Sequence, residues 1–333
     1  MMATLRCDHP DIETFVDAKR NPAVLRHFNL SVLVSDAFMD AVAEDRDWPL
    51  VFPGLADTRT VKARDLWQRI LRAAYDTAEP GVLYVDTINR DNTLGHLENL
   101  SATNPCGEIP LPPYGACDLG SLNLTAFVAA PFAADARLDF SALADATGIA
   151  VRFLDNVIDV SRYPLPAQAQ EARRKRRIGL GLTGLADALV LLGLRYDSAA
   201  AQRLAAQAMQ AVRDHAYQAS VELAHEKGAF PAFERDAFLA SGFATRLPAG
   251  IRDAIAAHGI RNSHVLAIAP AGTISLLANN LSSGIEPIFS AEAERRVLEA
   301  DGRYRTHRVV DYACQRWRQI DRGLPPAFVE AQE

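Results

Sequence analysis

The sequence predicts an α/β fold with a buried, mostly parallel sheet. Two observations lead to this fold class. Short apolar segments typical of buried strands recur along the chain, at Asn29–Ser35, Gly81–Asp86 and His264–Ala269. Long segments with helical periodicity lie between them, at Phe140–Arg162 and Ala199–Glu226. This alternation is typical of parallel sheets whose faces are covered by helices.

The N-terminal elements follow the same alternation. Ala3–Arg6 has the composition of the end of a strand, and Asp11–Lys19 that of a short helix. Asp36–Ala43 is predicted to be helical, and Trp48–Thr60 is rich in turn residues. Val61–Glu79 has strong helical periodicity and ends at a Pro-Gly pair. The chain thus opens in the middle of a strand–helix pattern, and we expect an incomplete unit.

The second half contains the most apolar segment of the chain. Ile178–Leu192, with the sequence IGLGLTGLADALVLL, is apolar almost all round, which predicts a buried helix or helix pair. The segment before it, Glu171–Arg177 (EARRKRR), is basic. His264–Ala269 leads directly into PAGTIS, and the residues from Arg295 onward are polar. No closing strand is predicted at this end.

Composition and charge exclude several classes of protein. The chain has 333 residues, of which 49% are hydrophobic and 23% charged, as in ordinary globular proteins. A net charge of −6 provides no general basic surface for nucleic acid. Neither a membrane span nor a secretory signal is expected. Four unevenly spaced cysteines do not make a disulfide framework, so a reducing, cytoplasmic location is expected.

Residues 104–120, NPCGEIPLPPYGACDLG, hold two of the four cysteines in a segment whose prolines and glycines disfavour helix and strand. Asn104, Cys106 and Glu108 alternate, and in extended or turning backbone such residues project to one side. The amide of Asn104 can donate and accept hydrogen bonds, and the carboxylate of Glu108 can accept a proton. The three side chains therefore indicate one chemical site.

The thiol of Cys106 has several chemical interpretations. A thiolate nucleophile needs a cationic partner that lowers its pKa, whereas Glu108 acts in the opposite sense. A zinc site needs further Cys or His ligands at short spacing, and the spacing to Cys117 is a poor match. A neutral thiol beside a general base suits hydrogen-atom chemistry. Two small cysteines that merely pack in the interior are the remaining alternative.

A second loop has the layout of a phosphate-binding site. The strand-like HVLAIA is followed by PAGTIS and then by a segment compatible with a helix. Gly272 allows the backbone to approach an anion, and the N–H groups of residues 272–275, with the hydroxyls of Thr273 and Ser275, could donate to it. The G-K-[ST] of a Walker loop is absent. A well-capped helix start without a ligand fits the segment at least as well.

With these two loops, the chain resembles the catalytic subunit of ribonucleotide reductase, and most of all its adenosylcobalamin-dependent (class II) branch. The resemblance rests on motifs that occur in the family's order: LRCDHPDIETFVDAKR, LRHFNLSVLVSDAFM, GVLYVDTINR, NPCGEIPLPPYGACDLGSLNL, RRIGLGLTGLADAL and PAGTIS. It implies an oxidoreductase, a ribonucleoside-diphosphate reductase that makes 2′-deoxyribonucleotides for DNA synthesis and repair.

The resemblance also implies a fold. The family has a ten-stranded α/β barrel made of two five-stranded halves, with a finger loop threaded through the middle. Residues 1–333 would then form a partial catalytic barrel domain that lacks the N-terminal strands and the C-terminal segment. Its finger loop would lie at about residues 104–120 and its phosphate-binding loop at about residues 270–275.

By position in the motifs, Cys106 matches the thiyl-radical cysteine at the tip of the finger loop. In the family, homolysis of the cobalt–carbon bond of adenosylcobalamin generates the radical that takes the hydrogen of this cysteine. The thiyl then abstracts the 3′-hydrogen of the substrate. Glu108 matches the general base on the 3′-hydroxyl, and Asn104 the amide that binds the ribose hydroxyls. Cys117 matches one member of the cysteine pair that becomes a disulfide when the 2′-hydroxyl is lost as water.

Substrate-binding residues carry over from the same two motifs. In the first motif they are Asn104, Pro105, Cys106, Gly107 and Glu108. In the second, which matches the loop that holds the substrate's phosphates, they are Pro270, Ala271, Gly272, Thr273 and Ile274. No metal ligands are implied.

The resemblance further implies a ribonucleoside diphosphate substrate, adenosylcobalamin, a thioredoxin-type reductant and a deoxynucleotide effector. Much of the effector site and the second reducing cysteine would lie upstream of Met1. Cys7 and Cys314 have no redox counterpart in the family and are expected to be structural. Repeated turnover is therefore not expected of this chain alone, and its partners would be an upstream polypeptide that completes the barrel, or a second copy in a homodimer.

Two alternatives belong to other functional classes. The chain could be a non-catalytic remnant, or a fragment of a split enzyme, that binds nucleotide or a partner chain. A zinc or thiol hydrolase would need a metal or a histidine near Cys106, and the sequence offers no obvious candidate.

Overall fold

The computed structural model describes residues 1–21, 23–54 and 59–331. The strands of these residues are β1 (Met2–Arg6), β2 (Asn29–Val34), β3 (Asp47–Leu50), β4 (Arg59–Lys62), β5 (Gly81–Tyr84), β6 (Ala102–Thr103), β7 (Pro110–Leu111), β8 (Asp118–Asn123), β9 (Val128–Ala129), β10 (Arg137–Leu138), β11 (Ile178–Thr183), β12 (Glu292–Leu298) and β13 (Tyr304–Val310). The helices are α1 (Ile12–Asp17), α2 (Asp36–Ala43), α3 (Ala63–Thr77), α4 (Val85–Arg90), α5 (Phe140–Val160), α6 (Pro166–Lys175), α7 (Leu185–Leu191), α8 (Ala199–Lys227), α9 (Arg235–Leu239), α10 (Ala249–His258), α11 (Gly272–Leu277) and α12 (Tyr312–Trp317).

Two compact units make up the described residues. The first consists of Met1–Ala116, Leu165–Glu171 and Glu234–Leu247. The second consists of Cys117–Pro164, Ala172–Phe233 and Pro248–Glu333. Cys106 therefore belongs to the first unit, whereas Cys117 and the segment at residues 270–275 belong to the second.

The first unit is built on a three-stranded parallel sheet in the order β1-β2-β5. β2 lies in the middle, and its residues 30–34 are all buried, because a central parallel strand has strands at both edges and helices on its faces. Ser35 follows it as the cap of α2, and its side chain accepts a hydrogen bond from the backbone N–H of Phe38. Phe38, Ile12 and Ile70, from three helices, contribute to the core.

The second unit contains a parallel pair of strands, β8 and β11, with Gly120 opposite Leu180. β11 also bonds to the segment that leads to residue 270. The N–H of Leu180 donates to the carbonyl of Val265 at 2.8 Å, and the N–H of Ala267 donates to the carbonyl of Leu180 at 3.1 Å. A Cβ at Gly181 would lie 2.2 Å from the carbonyl oxygen of Ala267, so this close approach requires glycine. α5 packs against β8, β11 and α8.

Most predicted elements are confirmed, with small changes at their ends. α2 spans the predicted Asp36–Ala43, and β2 begins at the predicted Asn29. The long helices α5 and α8 begin at the predicted Phe140 and Ala199. His264–Ala269 runs along β11, although only one residue of it forms a bridge.

The prediction of a helix or helix pair for Ile178–Leu192 is wrong in its first half. The segment begins with strand β11, in which every residue is buried, and only Leu185–Leu191 is helical. A strand buried on both faces is apolar all round, as a buried helix is, so apolar character alone does not distinguish them.

The sequence does not predict two hairpins. β3 pairs with β4 at the two ends of the predicted turn-rich stretch Trp48–Thr60, of which residues 55–58 lie outside the described residues. β12 pairs with β13 in the polar C-terminal region. Most side chains of these strands are exposed, so they lack the apolar alternation that indicates a strand.

The predicted mixture of helices and strands is confirmed. In the described ranges the sheets are the β1-β2-β5 sheet and pairs of strands, and they form no closed barrel. The ten-stranded barrel therefore stays a prediction. A search of the same ranges for a helix with the length and apolarity to cross a membrane finds none.

Candidate functional site

Cys106 lies at the tip of a hairpin, residues 102–111, which we call the Cys106 hairpin. β6 and β7 pair antiparallel at its base. Asn104 closes the loop above them with two bonds to Ile109. The N–H of Asn104 donates to the carbonyl of Ile109 at 3.2 Å, and its side-chain Oδ1 accepts the N–H of Ile109 at 3.0 Å. The geometry around Cys106 is therefore set largely by bonds within the hairpin.

A tight turn forms the tip of this hairpin. The N–H of Gly107 donates to the carbonyl of Asn104 at 3.1 Å, which is the bond that closes a β-turn. Pro105 at the second position and glycine at the fourth suit a type I turn. Gly107 has φ +91°, and its missing Cβ would meet nothing within 4 Å, so backbone conformation requires glycine here. The turn leaves Cys106 exposed.

The two polar residues on either side of Cys106, Asn104 and Glu108, differ in their hydrogen bonding. Because Oδ1 of Asn104 is bonded to the loop, the side-chain amide retains its N–H donors for another partner. Glu108 is half-buried, and its Oε2 is buried without a hydrogen-bond partner among the described residues. An unpartnered buried carboxylate oxygen costs free energy unless a ligand or water satisfies it. One loop thus carries a donor, a thiol and an acceptor.

Two residues far away in the sequence anchor the Cys106 hairpin. Asn29, at the start of β2, donates its side-chain N–H to the carbonyl of Pro105 at 2.6 Å. Thr4 of β1 donates its hydroxyl to the carbonyl of Ser101, just before the hairpin, at 3.0 Å. Sequence reasoning missed both residues, and an asparagine or threonine in a strand carries no signal that could have found them.

In the second unit, Cys117 lies immediately before β8 and is half-buried. Its Sγ lies 3.6 Å from the carbonyl oxygen of Asp118. A Cβ at Gly179 of β11 would lie 3.4 Å from the same sulfur. The thiol therefore packs against a stretch of β11 that has no side chain.

The other two cysteines lie in the interior. Cys7 and Cys314 are 2% and 0% exposed. Burial raises the pKa of Cys7 to about 11, and burial together with the charge of Asp311 raises the pKa of Cys314 well above its ordinary value. Thiols that are buried and hard to ionise are unreactive, which supports the structural interpretation of both.

The segment Pro270–Ile274 enters the short helix α11. Residues 272–274 are exposed, and their N–H groups have no acceptor within the described ranges. Ser275 is not available as the donor expected from the sequence. It is buried, its hydroxyl donates to the carbonyl of Gly272 at 3.0 Å, and its N–H donates to the carbonyl of Ala271 at 2.7 Å.

A cavity of about 350 Å³ adjoins this segment. Gly272 contributes to its wall, and its ionisable residues are Glu286, Arg295 and Asp311. Burial and the charge of Asp187 raise the pKa of Asp311 to about 7. The cavity therefore places two carboxyl groups and a guanidinium near Gly272.

The part of the chain that the structure describes contains no cluster of metal-ligating side chains. No group of three or more His, Cys, Asp or Glu residues is placed there to hold an ion.

Comparison with known families identifies the chain. Residues 1–320 match the family described as the barrel domain of ribonucleotide reductase. The chain belongs to this family. The resemblance predicted from the motifs is thereby confirmed, and both loops described above lie within the matched residues.

Several curated members of the reductase family align with most of this chain. The vitamin B12-dependent ribonucleoside-diphosphate reductase of Mycobacterium tuberculosis is 45% identical over 299 residues, which are 89% of this chain and 40% of the relative. The enzyme of the same name from Thermoplasma acidophilum is 38% identical over 89% of this chain and 36% of its own length. The ribonucleoside-diphosphate reductase large subunit of vaccinia virus is 30% identical over 88% of this chain and 42% of its own length. The chain thus spans about two fifths of each relative.

Proposed function

We propose that this chain carries the thiyl-radical chemistry that reduces ribonucleoside diphosphates to 2′-deoxyribonucleotides, with adenosylcobalamin as cofactor. The observation that carries the proposal is the Cys106 hairpin, in which an exposed thiol lies between an amide donor and an unpartnered carboxylate. Membership of the reductase barrel family supports it. Two relatives are named vitamin B12-dependent ribonucleoside-diphosphate reductases, which supports the proposed cofactor and substrate.

Cys106 suits a cofactor that generates a radical. Its thiol is exposed at the end of a hairpin, where a large group can approach. No cationic side chain among the described residues bonds to it. When bound, adenosylcobalamin supplies an organic radical that accepts a hydrogen atom. Cys106 gives up the hydrogen of its S–H bond and becomes a thiyl.

The other residues then complete a balanced reaction. The thiyl of Cys106 takes the 3′-hydrogen atom of the ribose, and the N–H donors of Asn104 hold the ribose hydroxyls. Glu108 accepts the proton of the 3′-hydroxyl while the 2′-hydroxyl takes up a proton from one thiol of a cysteine pair and leaves as water. The pair, of which Cys117 is one member, then gives a hydrogen atom to C2′ and one further electron and becomes a disulfide, while Glu108 returns its proton to the 3′-oxygen. Cys106 finally returns a hydrogen atom to C3′.

The segment Pro270–Ile274 is proposed to bind the phosphates. Its donors are the exposed N–H groups of residues 272–274 and the hydroxyl of Thr273. Pro270 has no N–H, and the N–H of Ala271 already donates to the side chain of Ser283. These two residues therefore shape the loop, whereas the three that follow contact the anion.

The remaining features of a class II reductase belong to the same proposal. They are the ten-stranded barrel, a thioredoxin-type reductant, a deoxynucleotide effector, a cytoplasmic location, and a homodimer or a second polypeptide that completes the barrel. The alternative of a non-catalytic remnant is less favoured, because a remnant has no need of an exposed thiol beside an unpartnered carboxylate.

A single-turnover assay tests the proposal. Under anaerobic conditions, the chain is mixed with CDP, adenosylcobalamin and a dithiol. A second set of reactions also contains the portion of the Mycobacterium tuberculosis relative that precedes the matching region. We expect deoxy-CDP to form, and Cys106→Ala to abolish it, while Cys7→Ala serves as the matched control and retains it. Undiminished product from Cys106→Ala would overturn the radical assignment. Absence of product from every combination would favour the remnant.

A further inference from the structure

A fully buried carboxylate in the second unit has no part in the chemistry above. Asp187 lies in α7 and is 0% exposed. Its Oδ2 accepts the backbone N–H of Ser282 at 2.5 Å, and its Oδ1 accepts the backbone N–H of Ala313 at 2.7 Å. A buried carboxylate that accepts two N–H bonds makes a strong, directional link. Asp187 therefore joins α7 to two segments that are far away in the sequence.

The segment at residues 282–284 is bonded to this region at several points. The side-chain Oγ of Ser282 accepts the N–H of Asp187 at 3.2 Å, and its carbonyl accepts the N–H of Gly184 at 2.9 Å. The N–H of Gly284 donates to the hydroxyl of Thr183 at 3.3 Å. These bonds fix the segment against the end of β11 and the start of α7.

The same segment holds the proposed phosphate loop. The Oγ of Ser283 accepts the N–H of Ala271 at 3.0 Å. Ser283 lies between two bonded residues, so its position follows from the bonds that Asp187 and its neighbours make. A continuous path of hydrogen bonds and backbone thus leads from Asp187 through residues 282 and 283 to Ala271.

We propose that Asp187 is a positioning residue for the loop Pro270–Ile274. Through Ser282 and Ser283 it sets the direction in which the exposed N–H groups of residues 272–274 point, and hence their fit to the phosphates of a ribonucleoside diphosphate. Asp187 itself is fully buried and does not touch a ligand, so its proposed effect on the loop passes through the bonds that it makes. The inference rests on the phosphate-binding role proposed for the loop.

Hydrogen exchange without ligand tests the positioning directly. Asp187→Asn keeps the shape of the side chain but replaces one acceptor oxygen with a donor. We expect the amides of Ser282 and Ala271 to exchange about tenfold faster or more, since a buried bond to a charged group is lost. The matched control is Asp155→Asn, because Asp155 is also a fully buried aspartate of the second unit, bonded to Arg176 and Asn262. Equal acceleration at Ala271 in both variants would overturn the inference.

Ligand affinity provides a second test, because general destabilisation would weaken the binding of phosphorylated and unphosphorylated ligands alike. Calorimetry compares CDP with cytidine, which lacks the phosphates. Asp187→Asn is expected to weaken CDP binding about tenfold and leave cytidine binding unchanged. Ser283→Ala should have a similar effect. The double variant should be no weaker than the stronger single variant, because both residues act along one path. Additive losses, or equal losses for CDP and cytidine, contradict the inference.

The two measurements distinguish the inference from the function on which it rests. If the unchanged chain does not bind CDP but the Ala271 amide responds to Asp187→Asn as expected, the positioning link stands and the phosphate-binding role fails. If the chain binds CDP and Asp187→Asn changes neither exchange nor affinity, the role of the loop stands and the inference is wrong.

Discussion

The side-chain amide of Asn29 donates a hydrogen bond of 2.6 Å to the carbonyl of Pro105, the residue before Cys106. The two residues are 76 positions apart. Among the described residues, the other bonds that shape the turn come from the hairpin itself. Asn29 therefore ties the tip that carries the proposed radical cysteine to the first strand position of β2.

Asn29→Ala is expected to loosen the tip without unfolding the unit. The bond lies at an exposed position, so its loss should cost only about 1 kcal/mol locally. Hydrogen exchange at the amides of Gly107 and Ile109 should become up to about tenfold faster, and the rate of product formation should fall while CDP affinity is retained. Asn29→Asp keeps the size but not the donor, and it should match Asn29→Ala. If it behaved like the unchanged chain, the donor would not matter.

Asp118 should make stability depend on pH. Both of its carboxylate oxygens are buried without a partner among the described residues, and burial, with the charge of Asp155, raises its pKa to about 6. The folded state then binds this proton more tightly than the unfolded chain. The free energy of unfolding therefore falls as pH rises from the ordinary value of 3.8 to about 6, and stays lower above it.

Asp118→Asn should remove this penalty. At about pH 7.5 it should raise the free energy of unfolding by roughly 1 kcal/mol, less than the full shift implies because the residue is partly exposed. Near pH 3 it should change little. Urea unfolding at the two pH values measures the difference, with the exposed Asp145→Asn of α5 as control. A gain of the same size at both values would show that ionisation is not the cause.

Arg176 is a buried cation whose loss should be costly. It is 4% exposed and bonds the carboxylates of Asp155 at 2.8 Å and Asp159 at 2.7 Å. Arg176→Met leaves the fully buried Asp155 with weaker partners and should lower the free energy of unfolding by about 3 kcal/mol. Arg152→Met breaks an exposed pair with Glu226 and should cost far less, because water screens that pair. Similar losses in the two variants by urea unfolding would contradict this account.

Two glycine-to-alanine changes should have opposite effects. At Gly181 a Cβ would overlap the backbone of Ala267, so Gly181→Ala should cost about 3 kcal/mol or more. At Gly148, within helix α5, a Cβ would meet nothing within 4 Å, so Gly148→Ala should stabilise the protein by about 0.5–1 kcal/mol. Thermal or urea unfolding gives both signs. Stabilisation by Gly181→Ala would mean that β11 does not closely approach the backbone of Ala267.

The fold could be predicted where local signals and burial agree. α2 was predictable because Ser35 supplies a cap and the apolar residues repeat with helical spacing. β11 was not, because a strand buried on both faces has no alternation. The basic segment that ends in Lys175, Arg176 and Arg177 also misleads, since all three are buried. The burial of Arg176 depends on its bond to Asp155, whose position a single sequence does not reveal.

The site shows the same division between local and distant information. The motif alone suggests Cys106, Glu108 and Asn104 as candidates, because their chemistry and their spacing lie within one short loop. Asn29, which bonds that loop, and Asp187, which we propose positions the segment Pro270–Ile274, belong to ordinary strand and helix segments. Their roles depend on which backbone carbonyl or N–H group the fold places beside them, and only the three-dimensional structure shows this.

The exposure of Cys106 also determines where the protein is vulnerable. A thiol at an open hairpin tip can be reached by dissolved oxygen and peroxide as well as by a radical. Cys7 and Cys314 are enclosed by packed side chains and protected from such reagents. Oxidation during aerobic handling will therefore accumulate at the tip of one hairpin. A sample can then lose the activity proposed for Cys106 while its fold remains intact.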